Sequence, residues 1–317
     1  TGVRIIRIPL IGFYSGRAIF HPKIFKVVSG LAPDVTFVHG EDTLTGILFI
    51  ALSKWLKYPI VLDCHMLEMA SVNRFRLFFR AFYRRFITPI ILAHKIPLIR
   101  VVDSDYVQKC LGIPLSNTDL LSFGTDTTYF CPNLEVKKVV RRQYGFDDSA
   151  FLVLYAGKLD ETKGGLLLAK AIMEKFPSSA RRSIEFLIVG NSDGPYGAEV
   201  ERVFLVSENK IHRLPTQRYY DLAPLYQAAD LAIFPRQCSM SFFEAQSCGL
   251  PVLFEKNEIN CQRAAFNNAI TFEPESVEDF RNKILYLESL PLDEYLAIKT
   301  NARNYVLETY DYLPISR

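Results

Sequence analysis

One stretch, Ala228–Phe254, constrains the fold of this chain most: AADLAIFPRQCSMSFFEAQSCGLPVLF. The apolar run Asp230–Phe234 has the length of a strand and ends at a proline. A polar loop follows, and then a short helix is predicted over Ser241–Cys248, stopped by a glycine. A second strand is predicted over Val252–Phe254. Strand, loop, helix and strand in this order are typical of a parallel α/β sheet, in which ligands bind beyond the carboxyl ends of the strands.

Glu244 is the residue of this stretch that most needs an explanation. Ser241 and Glu244 fit the S-x-x-E pattern of a capping box, in which the glutamate bonds back to the amide of the serine. Alternatively, Glu244 points towards a ligand and accepts hydrogen bonds from two neighbouring hydroxyl groups. The free amides at the start of the same helix would then hold an anion such as a phosphate. Both interpretations stay open at the level of sequence.

The segment PRQCSMSFFEAQSCGLPV resembles the nucleotide-sugar motif of retaining family-4 glycosyltransferases, which have the GT-B fold. That motif has two glutamates eight positions apart, and Glu244 matches the second, which in the family binds the ribose of the donor. Further matches are Ala245, Gly249, Pro251 and Val252. The first glutamate is replaced by Arg236. Because that position contacts the transferred sugar in the family, the replacement bears on the identity of the sugar and on catalysis itself.

The composition is that of a globular protein large enough for two domains. The chain has 317 residues and a formal net charge of +3, which gives no reason to expect nucleic acid as a partner. The six cysteines are scattered without a C-x-x-C pair, as expected in a reducing compartment. No signal peptide is visible, and no uncharged run reaches the ~18 residues of a membrane span. We therefore expect a cytoplasmic protein.

The order of predicted elements indicates two Rossmann-like, doubly wound parallel-sheet domains. Predicted strands alternate with helices from Val3–Ile8 onwards, and a second series begins at Phe151. The loop SFGTDTTYFCPN resembles the segment that closes the first GT-B domain. We predict a first domain over residues 1–133, a polar boundary over 134–149, a donor-binding domain over 149–290 and a terminal helix over 291–317. The resemblance implies that the domains face each other across a cleft, that the last helix crosses back to the first domain, and that a first strand and helix precede Thr1.

A second motif follows the strand that ends at Ala156. Gly157, Lys158 and Lys163 match the G-(R/K)-L-x-x-x-K-G loop that binds the donor diphosphate in the family. Two cations at the carboxyl edge of a parallel strand suit a diphosphate, and positioned cations stabilise the charge that develops as this group departs. Lysines in such a loop are otherwise usually only solvated. The resemblance implies that both lysines act in catalysis together with Glu244.

Other residues are assigned to the donor site through the resemblance. Gly190 lies in the turn after a predicted strand and would border the nucleotide pocket, and the backbone near Arg213 and Leu214 would meet the base. The loop before Glu244 would offer backbone amides to the phosphate and the sugar. Its residues in this assignment are Arg236, Gln237, Ser239, Met240 and Ser241.

Acceptor-side candidates follow predicted strands of the first domain. His65 ends the strand PIVLDCH, and the resemblance places it near the reacting carbon of the sugar. His39 stands at a similar strand end, and Glu68 lies three residues after His65. A lone histidine is more often structural than catalytic, so a purely structural role for His65 stays open. The resemblance implies that no metal takes part and that a UDP- or GDP-linked sugar serves as co-substrate without a further cofactor.

The segment Arg74–Ile87 reads RFRLFFRAFYRRFI and is both basic and aromatic. It is predicted to be a helix with Arg76, Arg80 and Arg84 on one face. Such a helix can simply cover the sheet with its phenylalanines. It can also lie on an anionic membrane surface, which would make the protein peripheral to the inner face of a membrane.

These observations predict an enzyme that transfers a sugar from a nucleotide donor to a hydroxyl group of a glycan or of a lipid-linked acceptor. The resemblance implies retention of the anomeric configuration and a role in polysaccharide, lipopolysaccharide or capsule biosynthesis. Two alternatives remain: another GT-B enzyme such as a nucleotide-sugar epimerase, and a non-catalytic nucleotide-binding subunit. Release of product without an acceptor would indicate the first alternative, and binding without turnover would indicate the second.

Overall fold

The computed structural model describes residues 2–14, 17–66, 74–177, 180–236 and 240–315. It divides into two compact units, Thr1–Ser122 and Phe123–Arg317. The predicted roles of the two domains remain predictions, as does the crossing of the last helix to the first unit.

The first unit contains a parallel sheet with strand order β3-β4-β5-β6 and a separate antiparallel hairpin, β1-β2. Its strands are β1 (Leu10–Tyr14), β2 (Arg17–Phe20), β3 (Thr36–His39), β4 (Ile60–Cys64), β5 (Leu98–Arg100) and β6 (Thr118–Leu120). Its α-helices are α1 (Lys23–Gly30), α2 (Leu44–Leu52), α3 (Arg76–Phe82) and α4 (Thr88–Ala93). Short 3₁₀ turns span Ser53–Trp55 and Leu115–Asn117, and π-helical turns span Tyr83–Ile87 and Val107–Leu111.

The predicted strand Val3–Ile8 is wrong, because these residues form no strand. Val3 is 79% exposed and Ile5 is 77% exposed, and neither pairs with a neighbouring strand. A β-branched run becomes a strand only where another strand can take up its backbone hydrogen bonds. Here the pairing begins later, at Leu10, where the chain folds back on itself as the hairpin.

The second unit contains a six-stranded, all-parallel sheet with strand order β12-β11-β10-β7-β8-β9. Its strands are β7 (Phe151–Ala156), β8 (Ile184–Val189), β9 (Lys210–Leu214), β10 (Leu231–Phe234), β11 (Val252–Glu255) and β12 (Ala269–Phe272). Every residue of β7 and β8 is buried, because helices cover both faces of the sheet. Strand order reverses direction between β7 and β10, the switch point at which such sheets bind ligands.

The helices of the second unit begin before its sheet and end after it. They are α5 (Leu134–Tyr144), α6 (Gly165–Ala171), α7 (Gly194–Leu205), α8 (Ala223–Ala228), α9 (Phe242–Ser247), α10 (Glu258–Arg263), α11 (Val277–Ser289), α12 (Leu292–Thr309) and α13 (Tyr312–Ile315). Short 3₁₀ turns span Glu161–Lys163 and Tyr219–Leu222. Within the described residues, no helix has the length and apolar character that a membrane span needs.

The predicted polar boundary over residues 134–149 is largely the helix α5, which packs against α8 inside the second unit. Asn133 caps its start by accepting from the amides of Glu135 and Val136, and Gly145 ends it in the left-handed conformation. Lys137 and Arg141 form ion pairs of 2.6 Å with the buried Asp230. The charges that suggest a linker are thus partners of a buried carboxylate.

Candidate functional site

The predicted donor residues of the second unit follow neighbouring strands. Gly157 follows β7, Gly190 follows β8 and Arg236 follows β10, while Arg213 and Leu214 end β9. These strands are parallel and adjacent, so their carboxyl ends lie at one edge of the sheet. The structure therefore brings together residues that are up to about eighty positions apart in sequence.

Gly157 and Gly190 meet at the centre of this edge. Gly190 has a φ of +144°, and a Cβ added to it would lie 1.8 Å from the carbonyl oxygen of Gly157. Next to them the amide of Leu159 donates to the carbonyl oxygen of Asn191 at 3.0 Å. Only glycine fits at position 190, because residues with a side chain rarely adopt this φ and because a Cβ atom would clash with the backbone of Gly157.

The loop that carries the two lysines is held by its own side chains. The Tyr155 hydroxyl donates to the Lys158 carbonyl oxygen at 2.5 Å, and the Asp160 carboxylate accepts from the Lys163 amide at 3.0 Å. Gly164 then takes the left-handed conformation, with a φ of +72°, and α6 begins. The Lys158 side chain is exposed and Lys163 is half-buried. These contacts fix the backbone of the loop while they leave the charged end of Lys158 at the surface.

Arg236 lies over the same loop. Its guanidinium donates to the Glu161 carbonyl oxygen at 3.2 Å and forms an ion pair of 2.7 Å with Glu275. A Cβ added to Gly164 would lie 3.0 Å from the Cβ of Arg236. Arg236, which stands where the motif has its first glutamate, is therefore paired with Glu275 and lies beside the Lys163–Gly164 turn.

Glu244 lies in the first turn of α9 and is buried, with 9% of its surface exposed. The Ser241 side chain makes no capping hydrogen bond to this helix, so one half of the expected capping box is absent. Among the described residues no hydrogen-bond partner meets the Oε2 atom of Glu244. Burial raises the pKa of Glu244 to about 7. A buried carboxylate oxygen in this state is suited to accept hydrogen bonds from a ligand.

A pocket of about 460 Å³ opens beside Gly190, a volume in the range of small-molecule sites. Its walls are Gly190, Asn191, Ser192, Asp193, Glu201, Arg213, Leu214 and Pro215. Arg213 is used by the fold itself, since it donates to the carbonyl oxygens of Ile188 at 2.6 Å and Gly190 at 3.1 Å and pairs with Glu201 at 2.6 Å. Its side chain therefore holds the Gly190 turn, and the pocket offers mainly backbone and the loop side chains to a ligand.

Three of the predicted site residues, Glu68, Gln237 and Ser239, lie outside the described residues. Met240 and Ser241 are described and are both partly buried, and Met240 packs against the hydrophobic core. The wall residues Asn191, Ser192, Asp193, Glu201 and Pro215 were not among the predicted site residues, although the glycine-rich loop Gly190–Gly194 is recognisable in the sequence.

The acceptor-side candidates His39 and His65 meet in the first unit. They end β3 and follow β4, which are paired in parallel so that His39 lies opposite Asp63. The His39 Nδ1 atom lies 2.6 Å from the Asp63 Oδ2 atom, and the His65 Nδ1 atom lies 3.5 Å from it. The ring centroids of the two histidines are 4.1 Å apart. Asp63 was not predicted as a site residue, although it lies two positions before His65.

Comparisons with known proteins give a family match for the second unit and a likeness in fold. Residues 150–289, which contain the loop of Lys158 and Lys163 and the stretch around Glu244, match the family described as "Glycosyl transferases group 1". The glycosyltransferase of Rickettsia africae is similar in structure, with a TM-score of 0.75, 17% identity, and coverage of 92% of this chain and 76% of that one. This likeness shows the GT-B fold, as the sequence predicted.

Two further known proteins are similar to this chain. A "D-inositol 3-phosphate glycosyltransferase" of Segniliparus rotundus is 31% identical over 164 residues, which cover 49% of this chain. The match spans only 35% of that relative's length. The Anabaena protein HepE, solved in complex with UDP, is similar with a TM-score of 0.74 and 20% identity, covering 93% of this chain and 79% of that one.

Proposed function

We propose that this protein is a glycosyltransferase that takes a sugar from a nucleotide-linked donor and transfers it to a hydroxyl group of a glycan or a lipid-linked acceptor. The observation that carries the proposal is Glu244, whose buried Oε2 atom has no hydrogen-bond partner among the described residues. The similarity of residues 150–289 to group 1 glycosyltransferases supports it. The UDP bound by the structurally similar HepE supports a uridine nucleotide as the first ligand to test.

In this proposal each part of the site has one task. The Glu244 carboxylate accepts hydrogen bonds from the two ribose hydroxyls, and the pocket beside Gly190 takes the base. Lys158 and Lys163 stabilise the negative charge that develops on the diphosphate as the sugar leaves. Arg236, held by Glu275, adds a third cationic group near the same loop. His65 of the first unit lies beside the acceptor, and the reaction proceeds with retention.

The test is nucleotide binding followed by transfer. UDP should raise the melting temperature, and Glu244→Gln should weaken UDP binding about ten- to a hundredfold, because a charged hydrogen-bond acceptor contributes about 1.5–3 kcal/mol. The matched control is Glu294→Gln, which changes an exposed glutamate on α12 and should leave the affinity unchanged. GDP is tested in parallel. Unchanged UDP affinity in a folded Glu244→Gln variant would remove Glu244 from the donor site.

We also propose that α3 and the π-helical turn after it bind an anionic membrane surface. Phe79, Tyr83 and Ile87 face the core of the first unit. The opposite face is apolar as well, since Phe75, Leu77, Phe78, Phe82 and Phe86 are between 38% and 76% exposed. A helix that only covers a sheet needs one apolar face, and this one has two.

The charges around this second face favour anionic lipid over a protein partner. Residues 74–87 contain five arginines, and no acidic residue occurs between Glu68 and Asp103. Two of the three arginines predicted to form the basic stripe are used by the fold. Arg84 donates to the carbonyl oxygens of Lys109 and Cys110, and two nitrogen atoms of Arg80 are buried. Arg74 and Arg85 are exposed and stack on Phe75 and Phe86, which places cations beside the apolar face.

A further inference from the structure

We propose that His39, Asp63 and His65 form a binding site for a divalent transition-metal ion of the zinc type. Each of the three side chains offers one ligand atom, and these atoms all lie within 4.8 Å of one another. Two imidazoles and one carboxylate are a donor set that zinc uses in proteins. The site lies entirely in the first unit, so the proposal does not depend on the donor site of the second unit.

The distances within the cluster suit a single ion after small side-chain shifts. Ligands of a tetrahedral zinc ion lie ~2.0–2.1 Å from the metal, which places them ~3.3 Å from each other. The Asp63 Oδ2 atom is 2.6 Å from the His39 Nδ1 atom and 3.5 Å from the His65 Nδ1 atom. All three ligand atoms already lie within 4.8 Å of one another, so the adjustment that a single ion requires falls on the rotatable His39 and His65 side chains.

Asp63 is oriented for this role by the backbone. Its Oδ1 atom accepts from the Gly40 amide at 2.7 Å, so the Oδ2 atom is turned towards the two imidazoles. A metal-binding carboxylate is commonly fixed by such a second hydrogen bond.

The Asp63 carboxylate draws both imidazoles to one place, since its Oδ2 atom lies 2.6 Å from His39 and 3.5 Å from His65, and the two ring centroids are 4.1 Å apart. The His39 side chain is 68% exposed and the His65 side chain is 31% exposed. An ion can therefore reach the cluster from solvent, and a fourth ligand position would stay open to water or to a hydroxyl group, as in zinc sites with three protein ligands.

The experiment uses the full chain treated with a chelator and then titrated with Co²⁺, whose visible absorption reports the coordination of the ion. We expect one saturating equivalent and competition by Zn²⁺. His39→Ala and His65→Ala should each weaken Co²⁺ binding about a hundredfold or more, because each removes one of three ligands. His94→Ala is the matched control: this histidine of the same unit bonds to Ser53 at 2.7 Å, outside the cluster, and its loss should leave the affinity unchanged.

The proposal fails if Co²⁺ gives no saturable spectrum, or if His39→Ala and His65→Ala bind the ion as tightly as the unmodified chain. His39 is mostly exposed, so its replacement does not disturb the core, and circular dichroism verifies that both variants are folded. UDP binding is measured on the same samples. If the histidine variants lose Co²⁺ binding and keep their UDP affinity, the result concerns the metal site alone. If the unmodified chain does not bind UDP, the result contradicts the proposed donor site and leaves the metal site untouched.

Discussion

At the scale of single residues, the buried carboxylate of Glu244 carries an electrostatic cost in the proposed donor site. A carboxylate buried without a cation is disfavoured in its charged form, and burial raises the pKa of Glu244 to about 7. Asp230, buried to a similar extent, has two cations at 2.6 Å, which hold its pKa below the ordinary value against the opposing effect of burial. The contrast leaves the Glu244 carboxylate without a stabilising cation among the described residues, which suits the ligand-binding role proposed for it.

The stability of the protein should therefore depend on the ionisation of Glu244. The pKa of this group is higher in the folded chain than the ordinary value of 4.5. The folded state thus binds the proton more tightly, and the free energy of unfolding falls as pH rises from about 4.5 to about 7. The loss is on the order of 3 kcal/mol. Urea unfolding of the unmodified chain and of Glu244→Gln across this range measures it, because the variant lacks the titration. Parallel pH profiles would contradict the prediction.

The sequence predicted the position of Glu244 at the start of a helix, whereas it did not predict the contact of Asp63 with His39, for physical reasons. Glu244 stands in a local pattern, a strand followed by a loop and a helix, and its position along the chain is enough to place it at the edge of the sheet. Asp63 acquires its role only through the parallel register that sets it opposite His39, 24 positions away. The burial of Glu244 likewise results from packing between distant segments, which no local pattern contains.

At the scale of secondary-structure elements, the charges of α5 misled the sequence interpretation. A charged stretch that contains Lys137 and Arg141 is typical of a solvent-exposed surface. The acidic partner of both residues, the buried Asp230, is about ninety positions away in the sequence. The local signals of a helix were nevertheless present in the sequence, since Asn133 is a good N-cap and Gly145 a good C-terminal stop. The helix could have been predicted from these two residues, but its burial could not.

Arg141 should be the most sensitive position of α5. It is 3% exposed, pairs with Asp230, and donates to four carbonyl oxygens, those of Ala228, Asp147, Asp148 and Ala150. Arg141→Met should lower the free energy of unfolding by about 3–5 kcal/mol, because it breaks a buried ion pair and leaves acceptors unsatisfied. The neighbouring and exposed Arg142→Met is the control, expected within about 0.5 kcal/mol of the unmodified chain. Equal effects in chemical denaturation would contradict this account.

The membrane surface of α3 leads to a second prediction at this scale. The unmodified chain should co-sediment with anionic vesicles and release them as salt rises. Two double variants, Phe75→Ser/Phe78→Ser and Arg74→Glu/Arg85→Glu, should each reduce this binding, since the first removes apolar contact and the second reverses charge. Leu205→Ser is the control, because Leu205 is 84% exposed but lies in the second unit. The prediction is contradicted if neutral vesicles bind the chain as well as anionic ones do, or if both double variants bind like the unmodified chain. In that case α3 only covers its sheet.

At the scale of the whole molecule, the chain consists of two units with different candidate ligands. The alternation of strands and helices was sufficient to predict two parallel sheets, and ten of the twelve strands in the described residues lie close to where the sequence placed them. The sequence did not predict the hairpin at Leu10–Phe20, because its antiparallel pairing depends on a partner rather than on composition.

This division predicts that binding and transfer can be separated by mutation. His65→Ala, in the first unit, should lower the rate of transfer while it leaves UDP affinity within about twofold of its original value. Glu244→Gln, in the second unit, should lower both. Parallel measurement of UDP binding by calorimetry and of sugar transfer to an acceptor distinguishes the two effects. A His65→Ala variant that loses UDP affinity while its structure is intact would show that the donor is not held by the second unit alone.

The contacts of Asp230 also determine which piece of the chain can fold by itself. Its cations come from α5, before the matched residues 150–289, and the Tyr295 hydroxyl, after them, donates to its carbonyl oxygen at 2.7 Å. A fragment trimmed to the matched residues would leave the Asp230 carboxylate buried without either cation. Residues 150–289 alone therefore lack contacts that Asp230 needs, and truncations should begin before Asn133 and retain α12.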